Sequence, residues 1–204
     1  MTLKIGITGP IGCGKSTILG WLAARGALVI DADQVAREVV APGSALVGEI
    51  VAAFGSAVAG PDGALDRPAL AAVVFEDPVQ LQRLEAIAHP AVRRRILAAF
   101  GDAEAADVPI IAIEAIRLVE AGYPALLDEV WLVTCASDAQ AARLTLRGLA
   151  PADAAARVAA QATLEAVVRP VATRVIDTSG SLAETERAVE QALAAARAAT
   201  ERDR

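Results

Sequence analysis

A lysine among glycines is the first feature of the sequence that indicates chemistry. Residues 9–16 read GPIGCGKS and match the pattern G-x-x-x-x-G-K-[ST] at every specified position. Glycines let successive backbone N–H groups turn inward around an anion, and the lysine adds a mobile positive charge. Lys15 is one of two lysines in the 204 residues, which hold seventeen arginines. The loop predicts a nucleoside triphosphate site, with Lys15 on the β- and γ-phosphates.

The residues of this phosphate-binding loop (P-loop) have distinct expected roles. The Ser16 hydroxyl is expected to ligate Mg²⁺, and the following helix adds the positive end of its dipole. The alternative is a glycine-rich turn that binds nothing, against which the preceding strand and following helix argue. The residues expected to bind the nucleotide are Gly9, Ile11, Gly12, Cys13, Gly14, Lys15, Ser16 and Thr17.

The elements around the loop predict a parallel α/β sheet. A β-branched run at 3–8, a helical pattern at 17–26 and a second strand at 27–31 form a strand–helix–strand unit. Residues 44–107 are predicted helical, without a convincing strand. Three further strands are expected at 108–115, 129–135 and 174–180. Two helices joined by a hinge are expected within 136–162, and a closing helix with a capping box at 181–199.

Bulk properties narrow the class of protein. The net charge of −6 provides no general field for nucleic acid. Cys13 and Cys135 are too few for a disulfide framework, and both are expected to be reduced. Without a recognisable signal peptide or an uninterrupted apolar span, the expected location is the cytoplasm. The chain has no asparagine for an N-K-x-D guanine motif and no LSGGQ-like stretch, which favours a small-molecule kinase.

A kinase needs a group that orients the acceptor hydroxyl and takes its proton. Asp31 and Asp33 follow the second strand, at the sheet edge where ligands of open α/β folds bind. Asp33 is the candidate base, and Asp31 is a structural or magnesium-side group. Arg37 shares a helix face with Asp33 if the helix begins there. The alternative is Asp33 as a helix N-cap with Arg37 in a surface pair.

Four segments resemble the dephospho-CoA kinases, the enzymes of the last step of coenzyme A synthesis. They are GITGPIGCGKST, VIDADQVAREVV, LEAIAHPAVRRR and VIDTSG, and the likeness runs over roughly 3–180. The resemblance implies phosphoryl transfer from MgATP to the ribose 3′-hydroxyl of dephospho-CoA. It also implies a three-layer P-loop NTPase fold with a five-stranded parallel sheet. The implied divisions are a core of 1–59, 108–135 and 163–204, a helical substrate domain of 60–107 and a helical lid of 136–162.

The resemblance also assigns residues to roles. Asp33 takes the place of the family's proposed base, and Arg37 that of an arginine near the substrate phosphates. Arg143 and Arg147 fall in the lid, Arg143 as a catalytic residue beside Asp33 and Lys15, and Arg147 as a nucleotide ligand. They lie four residues apart on one helix face, suited to a phosphate clamp or to a solvated surface.

The helical insertion supplies the remaining implied substrate residues. His89 and Arg93 would bind substrate there, although His89 suits a structural position before Pro90 at least as well as a catalytic one. The segment that many relatives read as Asp-x-Pro-Leu-Leu-x-Glu begins here with Glu114, and Ile116 and Arg117 depart from it. Thr178 stands in place of the family's asparagine, so contacts near the adenine are expected to differ.

The function hypotheses stay open at this point. Another P-loop kinase, acting on a nucleoside monophosphate or a metabolite, is the main alternative. A regulatory module that binds nucleotide without transferring phosphate is a second, and a nucleic-acid-dependent ATPase is a third, disfavoured by the charge. No nucleic acid or membrane partner is expected, and the chain is expected to be a monomer or a weak oligomer.

Overall fold

A parallel sheet forms the centre of the computed structural model, which describes residues 2–202. Its strands lie in the order β2-β3-β1-β4-β5, and β1 is paired in parallel with β3 and β4, as is β4 with β5. The predicted five-stranded parallel sheet is confirmed. The strands are β1 (Leu3–Thr8), β2 (Ala27–Asp31), β3 (Ile110–Glu114), β4 (Glu129–Thr134) and β5 (Arg174–Asp177).

Helices account for most of the remaining chain. The helices are α1 (Lys15–Ala24), α2 (Ala32–Glu38), α3 (Ala45–Phe54), α4 (Arg67–Glu76), α5 (Pro78–Ala105), α6 (Ser137–Leu146), α7 (Pro151–Ala159), α8 (Leu164–Val168) and α9 (Leu182–Arg202). Short 3₁₀ turns lie at Ser56–Val58, Pro61–Gly63 and Tyr123–Leu126. Within residues 2–202, no helix combines the length and apolar character needed to cross a membrane.

The central strands are buried on both faces of the sheet, since the consecutive residues of β3 from Ile110 to Ile113 have no exposed surface. Their sequences are therefore nearly continuous apolar runs instead of alternating ones. Ile5, Ile7, Ile111, Ile113 and Leu132 are all fully buried. This core fixes the C-terminal ends of β1, β3 and β4, where the chemically active loops begin.

The chain divides into two compact units. The sheet unit comprises the chain up to Ile30 and from Ala103 onward, and the helical unit comprises Asp31–Asp102. The helical unit thus begins at Asp31, whereas the substrate domain of 60–107 stays a prediction with a later start. The physical reason is that α3 buries Leu46 and Ile50 in one apolar cluster with Val58, Leu70 and Val74. The segment predicted as helical is confirmed, with one isolated bridge between Ala59 and Leu65 as its only β pairing among the described residues.

The expectation that both cysteines are reduced is wrong for this structure. Cys13 and Cys135 form a disulfide, with their Cα atoms 5.2 Å apart. The cause is the register of the sheet. Thr8 pairs with Leu132, so the loop after β1 and the residue that follows β4 start from the same sheet edge.

Candidate active site

The phosphate-binding loop is shaped by glycines at positions that a side chain would obstruct. Gly9 has a φ of 151°, and a Cβ atom there would lie 2.1 Å from the carbonyl oxygen of Val133. Gly14 has a φ of 85° and directly precedes α1. The loop thus passes closely over β4 and delivers the chain to a helix N-terminus, an arrangement that binds phosphate.

Lys15 is held inside the loop. Its side chain is buried, and Nζ donates to the carbonyl oxygens of Gly9 at 2.8 Å and Pro10 at 3.2 Å. The Glu114 carboxylate, at the C-terminal end of β3, lies 3.6 Å from the same nitrogen. A compact ammonium can contact all three oxygens with a single nitrogen atom, whereas a planar guanidinium would not fit the same space.

Ser16 is exposed, unlike the buried Lys15 that precedes it. Its hydroxyl lies 3.5 Å from Nη2 of Arg147. Within residues 2–202, no group of three or more His, Cys, Asp or Glu side chains could hold a metal ion. Mg²⁺ suits such a site, because it binds through one or two protein oxygens and completes its shell with water and substrate phosphates. The hard oxygens of Ser16 and Glu114 are a donor set that fits this ion.

Two glutamines that the sequence analysis missed bracket the tip of the loop. Gln140 on α6 donates from Nε2 to the carbonyl oxygen of Ile11, and the Ile11 N–H donates to Oε1 of Gln161; both distances are 2.7 Å. The sequence analysis selected only charged residues of this segment as candidate ligands. No motif marked Gln140, whose one distinguishing feature is its position one helical turn before Arg143. The Ile11 N–H, expected to face the nucleotide, is engaged by Gln161 in this structure.

The turn after β5 is held by hydrogen bonds to the last residue of β5 and to the residue that precedes α6. The Ser179 hydroxyl and backbone N–H both donate to Asp177, which holds the pKa of that carboxyl below its usual value. The Ala136 N–H donates to the same hydroxyl at 2.7 Å. These contacts fix the position of Thr178, the residue between them.

Arg143 extends from α6 to Thr178. Its Nη1 donates to the Thr178 hydroxyl at 2.8 Å and its Nη2 donates to the Thr178 carbonyl oxygen. Beside this pair lies a cavity of about 280 Å³, near the lower end of the size range of small-molecule sites. Its wall includes Gly14, Thr17, Trp21, Arg143, Leu146 and Leu182.

The candidate acceptor residues lie on α2. Asp31 caps this helix, since its Oδ1 accepts from the Gln34 N–H at 2.9 Å, and its Oδ2 lies 3.9 Å from Nη2 of Arg37. Asp33 lies in the first turn and is exposed. The alternative in which Asp33 caps the helix and pairs with Arg37 is therefore wrong, because Asp31 does both.

The other predicted substrate residues lie on α5. His89 and Pro90 are inside this helix and exposed, and Arg93 follows His89 by four residues. Residues spaced by four share a helix face, so His89 and Arg93 point to the same side. Together with Asp33 and Arg37, they belong to the helical unit, whereas the loop and the lid arginines belong to the sheet unit.

Comparisons with known proteins agree with this geometry. A family model described as dephospho-CoA kinase matches residues 3–184. The dephospho-CoA kinase of Moorella thermoacetica is 46% identical over 190 residues, which cover 92% of this chain and 89% of that protein. This chain belongs to the dephospho-CoA kinase family. The dephospho-CoA kinase of Streptomyces avermitilis is also 46% identical, over 92% and 90% of the two chains.

Solved structures show the same fold. The protein TT1252 from Thermus thermophilus superposes with a TM-score of 0.78 at 37% identity, over 95% of this chain and 97% of that one. A shikimate kinase from Acinetobacter baumannii, 15% identical with a TM-score of 0.51 over 95% and 92% of the two chains, shows only the shared fold. The predicted P-loop NTPase fold is confirmed. The predicted function, that of an ATP-dependent dephospho-CoA kinase, is confirmed as well.

Proposed function

We propose that this dephospho-CoA kinase family member transfers the γ-phosphoryl group of ATP to the ribose 3′-hydroxyl of dephospho-CoA. The oxygen–phosphorus bond to ADP breaks, a bond to the 3′-oxygen forms, and the hydroxyl proton passes to a base. The observation that carries the proposal is the complete phosphate loop, with Lys15 buried within it and paired with Glu114. Transfer of this kind depends on positioning and charge neutralisation more than on covalent catalysis.

The loop binds the triphosphate with its backbone N–H groups and with Lys15. The contacts of Nζ to Gly9 and Pro10 keep the ammonium at the loop, where phosphate oxygens are the natural additional partners. The Ser16 hydroxyl would hold Mg²⁺ together with the Glu114 carboxylate, which also contacts Lys15. When bound, the ion supplies charge neutralisation on the phosphates.

Asp33 serves as the base, or orients the acceptor hydroxyl. Support comes from α2, where Asp31 provides the cap and leaves the Asp33 carboxylate exposed and outside the helix hydrogen bonding. Arg37, His89 and Arg93 bind the anionic and polar groups of dephospho-CoA. Their common unit and the shared face of His89 and Arg93 support this assignment.

Arg143 and Arg147 have different roles in this proposal. The sequence analysis placed both in a lid suited to clamp the transferring phosphate, with Arg143 among the catalytic residues and Arg147 among the nucleotide ligands, but the distances favour different roles. Arg147 reaches the Ser16 hydroxyl, whereas Arg143 is held by Thr178 at the cavity wall. We therefore assign the phosphates to Arg147 and the nucleoside to Arg143, with residues 136–162 as the lid that excludes water.

The setting of the enzyme is also part of the proposal. We expect it to act in the cytoplasm as a monomer or weak oligomer on its small-molecule substrate. The net charge of −6 supports the absence of a nucleic acid partner, because the chain as a whole has no positive field that would attract a polyanion.

An acceptor panel tests the reaction. ADP release from MgATP is measured with dephospho-CoA, AMP, CMP, shikimate and gluconate, on the wild type, Asp33→Asn and Asp77→Asn. Asp77 is the matched control, since it accepts from the Val79 N–H in the same unit and asparagine preserves such a contact. We expect turnover only with dephospho-CoA, a kcat about 10² to 10⁴ lower in Asp33→Asn, and an unaltered control.

Each deviation points to one part of the proposal. Turnover with another acceptor would overturn the substrate. Full activity of Asp33→Asn would remove Asp33 from the chemistry while leaving the reaction intact. ATP binding without any acceptor-dependent turnover would favour the regulatory module.

A further inference from the structure

We propose that Thr178 is a positioning residue for nucleotide binding, which acts by holding the Arg143 guanidinium against the nucleoside cavity. The inference rests on the proposed assignment of Arg143 to the nucleoside.

Thr178 is connected to three separate segments. It is 3% exposed. Its hydroxyl and its carbonyl oxygen accept from the two terminal nitrogens of Arg143 on α6. The same hydroxyl lies 2.9 Å from the carbonyl oxygen of Cys13 in the loop and 3.2 Å from that of Thr134 at the end of β4.

The hydrogen-bonding capacity of a hydroxyl matches this environment. A hydroxyl has one proton to donate and two lone pairs that accept. Thr178 can therefore donate to Cys13 while it accepts from Arg143, and its backbone N–H donates to Thr134 at 2.9 Å. Valine, which has the same shape, would leave the Cys13 carbonyl oxygen without this donor and would remove one of the two acceptors of the Arg143 guanidinium.

Two-point attachment determines the orientation of the guanidinium plane. An arginine side chain is flexible, and a free one loses rotamer entropy when a ligand orders it. Because Thr178 already orders Arg143, that loss occurs on folding and not on nucleotide binding. Guanidinium groups stack on flat π-systems, so a fixed plane lining the cavity suits the base of a nucleotide.

The decisive readout is a split between ATP affinity and turnover. Trp21 lies at the cavity, whereas Trp131 is fully buried in the sheet, so ATP titration followed by tryptophan fluorescence reports mainly on the cavity. In Thr178→Val, we expect the Kd and KM of ATP to rise about tenfold, the effect of roughly one lost hydrogen bond to a charged group. We expect kcat and the KM of dephospho-CoA to change less than twofold, and Thr178→Ser to restore ATP affinity.

A double-mutant cycle separates this inference from the assignment it rests on. If Thr178 acts through Arg143, Thr178→Val adds no further loss of ATP affinity in the Arg143→Met background. If Arg143→Met leaves ATP affinity unchanged, the assignment of Arg143 fails and the inference with it. If Arg143→Met weakens ATP binding and Thr178→Val does not, the inference alone is overturned.

A purely structural role gives a different pattern. Thr200→Val is the matched fold control, because Thr200 donates to the Ala196 carbonyl oxygen on α9, outside the site. A Thr178→Val enzyme with a lower melting temperature, a lower kcat and an unchanged Kd for ATP would contradict a positioning role. Additive losses in the Thr178→Val, Arg143→Met double variant would contradict it too.

Discussion

The two sides of the reaction are prepared differently in this chain. On the nucleotide side, Lys15 is 7% exposed and contacts two loop carbonyls and a carboxylate of the protein itself. On the acceptor side, Asp33, Arg37 and His89 are exposed on helices. The phosphate loop is thus held together by contacts within the protein, whereas the proposed acceptor residues face solvent.

This contrast follows from the supporting elements. The loop is tied to the lid segment by Gln140 and Gln161, to β5 by Thr178 and to the end of β4 by the disulfide. Such contacts reduce the entropy lost when a triphosphate binds. Removal of the proposed acceptor residues is expected to affect acceptor use more than ATP affinity, because they belong to the helical unit and not to the loop.

The largest expected effect is at Lys15. Lys15→Ala is expected to lower kcat/KM for ATP by about 10² to 10³, because a charge preorganised at the phosphates is lost. Lys15→Arg is expected to remain impaired, since the planar fork does not fit the loop. ADP release in the presence of dephospho-CoA measures both.

The other lysine provides the control. Lys4 pairs with Glu104 at 2.5 Å, on the surface of the sheet unit. Lys4→Ala should keep wild-type kcat/KM, since exposed pairs contribute little. Equal losses at both lysines would show that the contrast reflects stability and not phosphate binding.

The disulfide is the next test of a preorganised nucleotide side. It joins positions 122 residues apart, and loop-closure entropy predicts that constraining so long a loop in the unfolded chain stabilises a protein by about 5 kcal/mol. We expect reductant to lower the melting temperature of the wild type and leave Cys135→Ser unaffected. Because disulfides are rare in the cytosol of most organisms, a wild type insensitive to reductant would mean that the cysteines are reduced.

A third prediction concerns the stability of the helical unit. Ile50 is fully buried in its apolar cluster, whereas Phe75 on α4 is 85% exposed. Ile50→Ala should lower the free energy of unfolding by about 2 to 5 kcal/mol, and Phe75→Ala should change it by less than about 0.5 kcal/mol. Chemical denaturation measures both; a large loss at Phe75 would reveal a packing contact that exposure does not indicate.

The loop and the sheet could be predicted because their signals are local. The glycine spacing of residues 9–16 and the apolar runs of β1, β3 and β4 each determine a short segment without knowledge of the rest. Glu114 was noted only through the family resemblance, as the acid that stands in place of the family's aspartate, and was given no role at the loop.

Contacts between distant segments were not predictable in this way. The disulfide depends on the register of β1 with β4, and Gln140 and Gln161 meet Ile11 across at least 129 residues. The start of the helical unit at Asp31 depends on where α3 packs, and helix periodicity alone does not reveal that. The pairing of Arg143 with Thr178 likewise joins residues 35 apart.

The smallest expected effect lies at the start of α9, away from the site. The predicted capping box is confirmed, since the Glu184 N–H donates to the Ser181 hydroxyl at 3.2 Å and the Ser181 N–H donates to the Glu184 carboxylate at 2.8 Å. Ser181→Ala should lower the free energy of unfolding by about 1 kcal/mol, as N-cap losses do. Ser56→Ala, an exposed serine in the helical unit, is the control and should have no effect.

The pH dependence of this small effect shows its origin. The Ser181 hydroxyl and then its N–H lower the pKa of the Glu184 carboxyl. A lowered folded-state pKa means that the stabilisation is present above the unfolded-state pKa and is lost as pH falls through the folded value. The difference between the wild type and Ser181→Ala should therefore be full at pH 7 and shrink in acid, leaving only the pH-independent bond from the Glu184 N–H to the serine hydroxyl. A difference that grows in acid would show that the carboxylate does not stabilise the helix end, and that the box contributes through the serine alone.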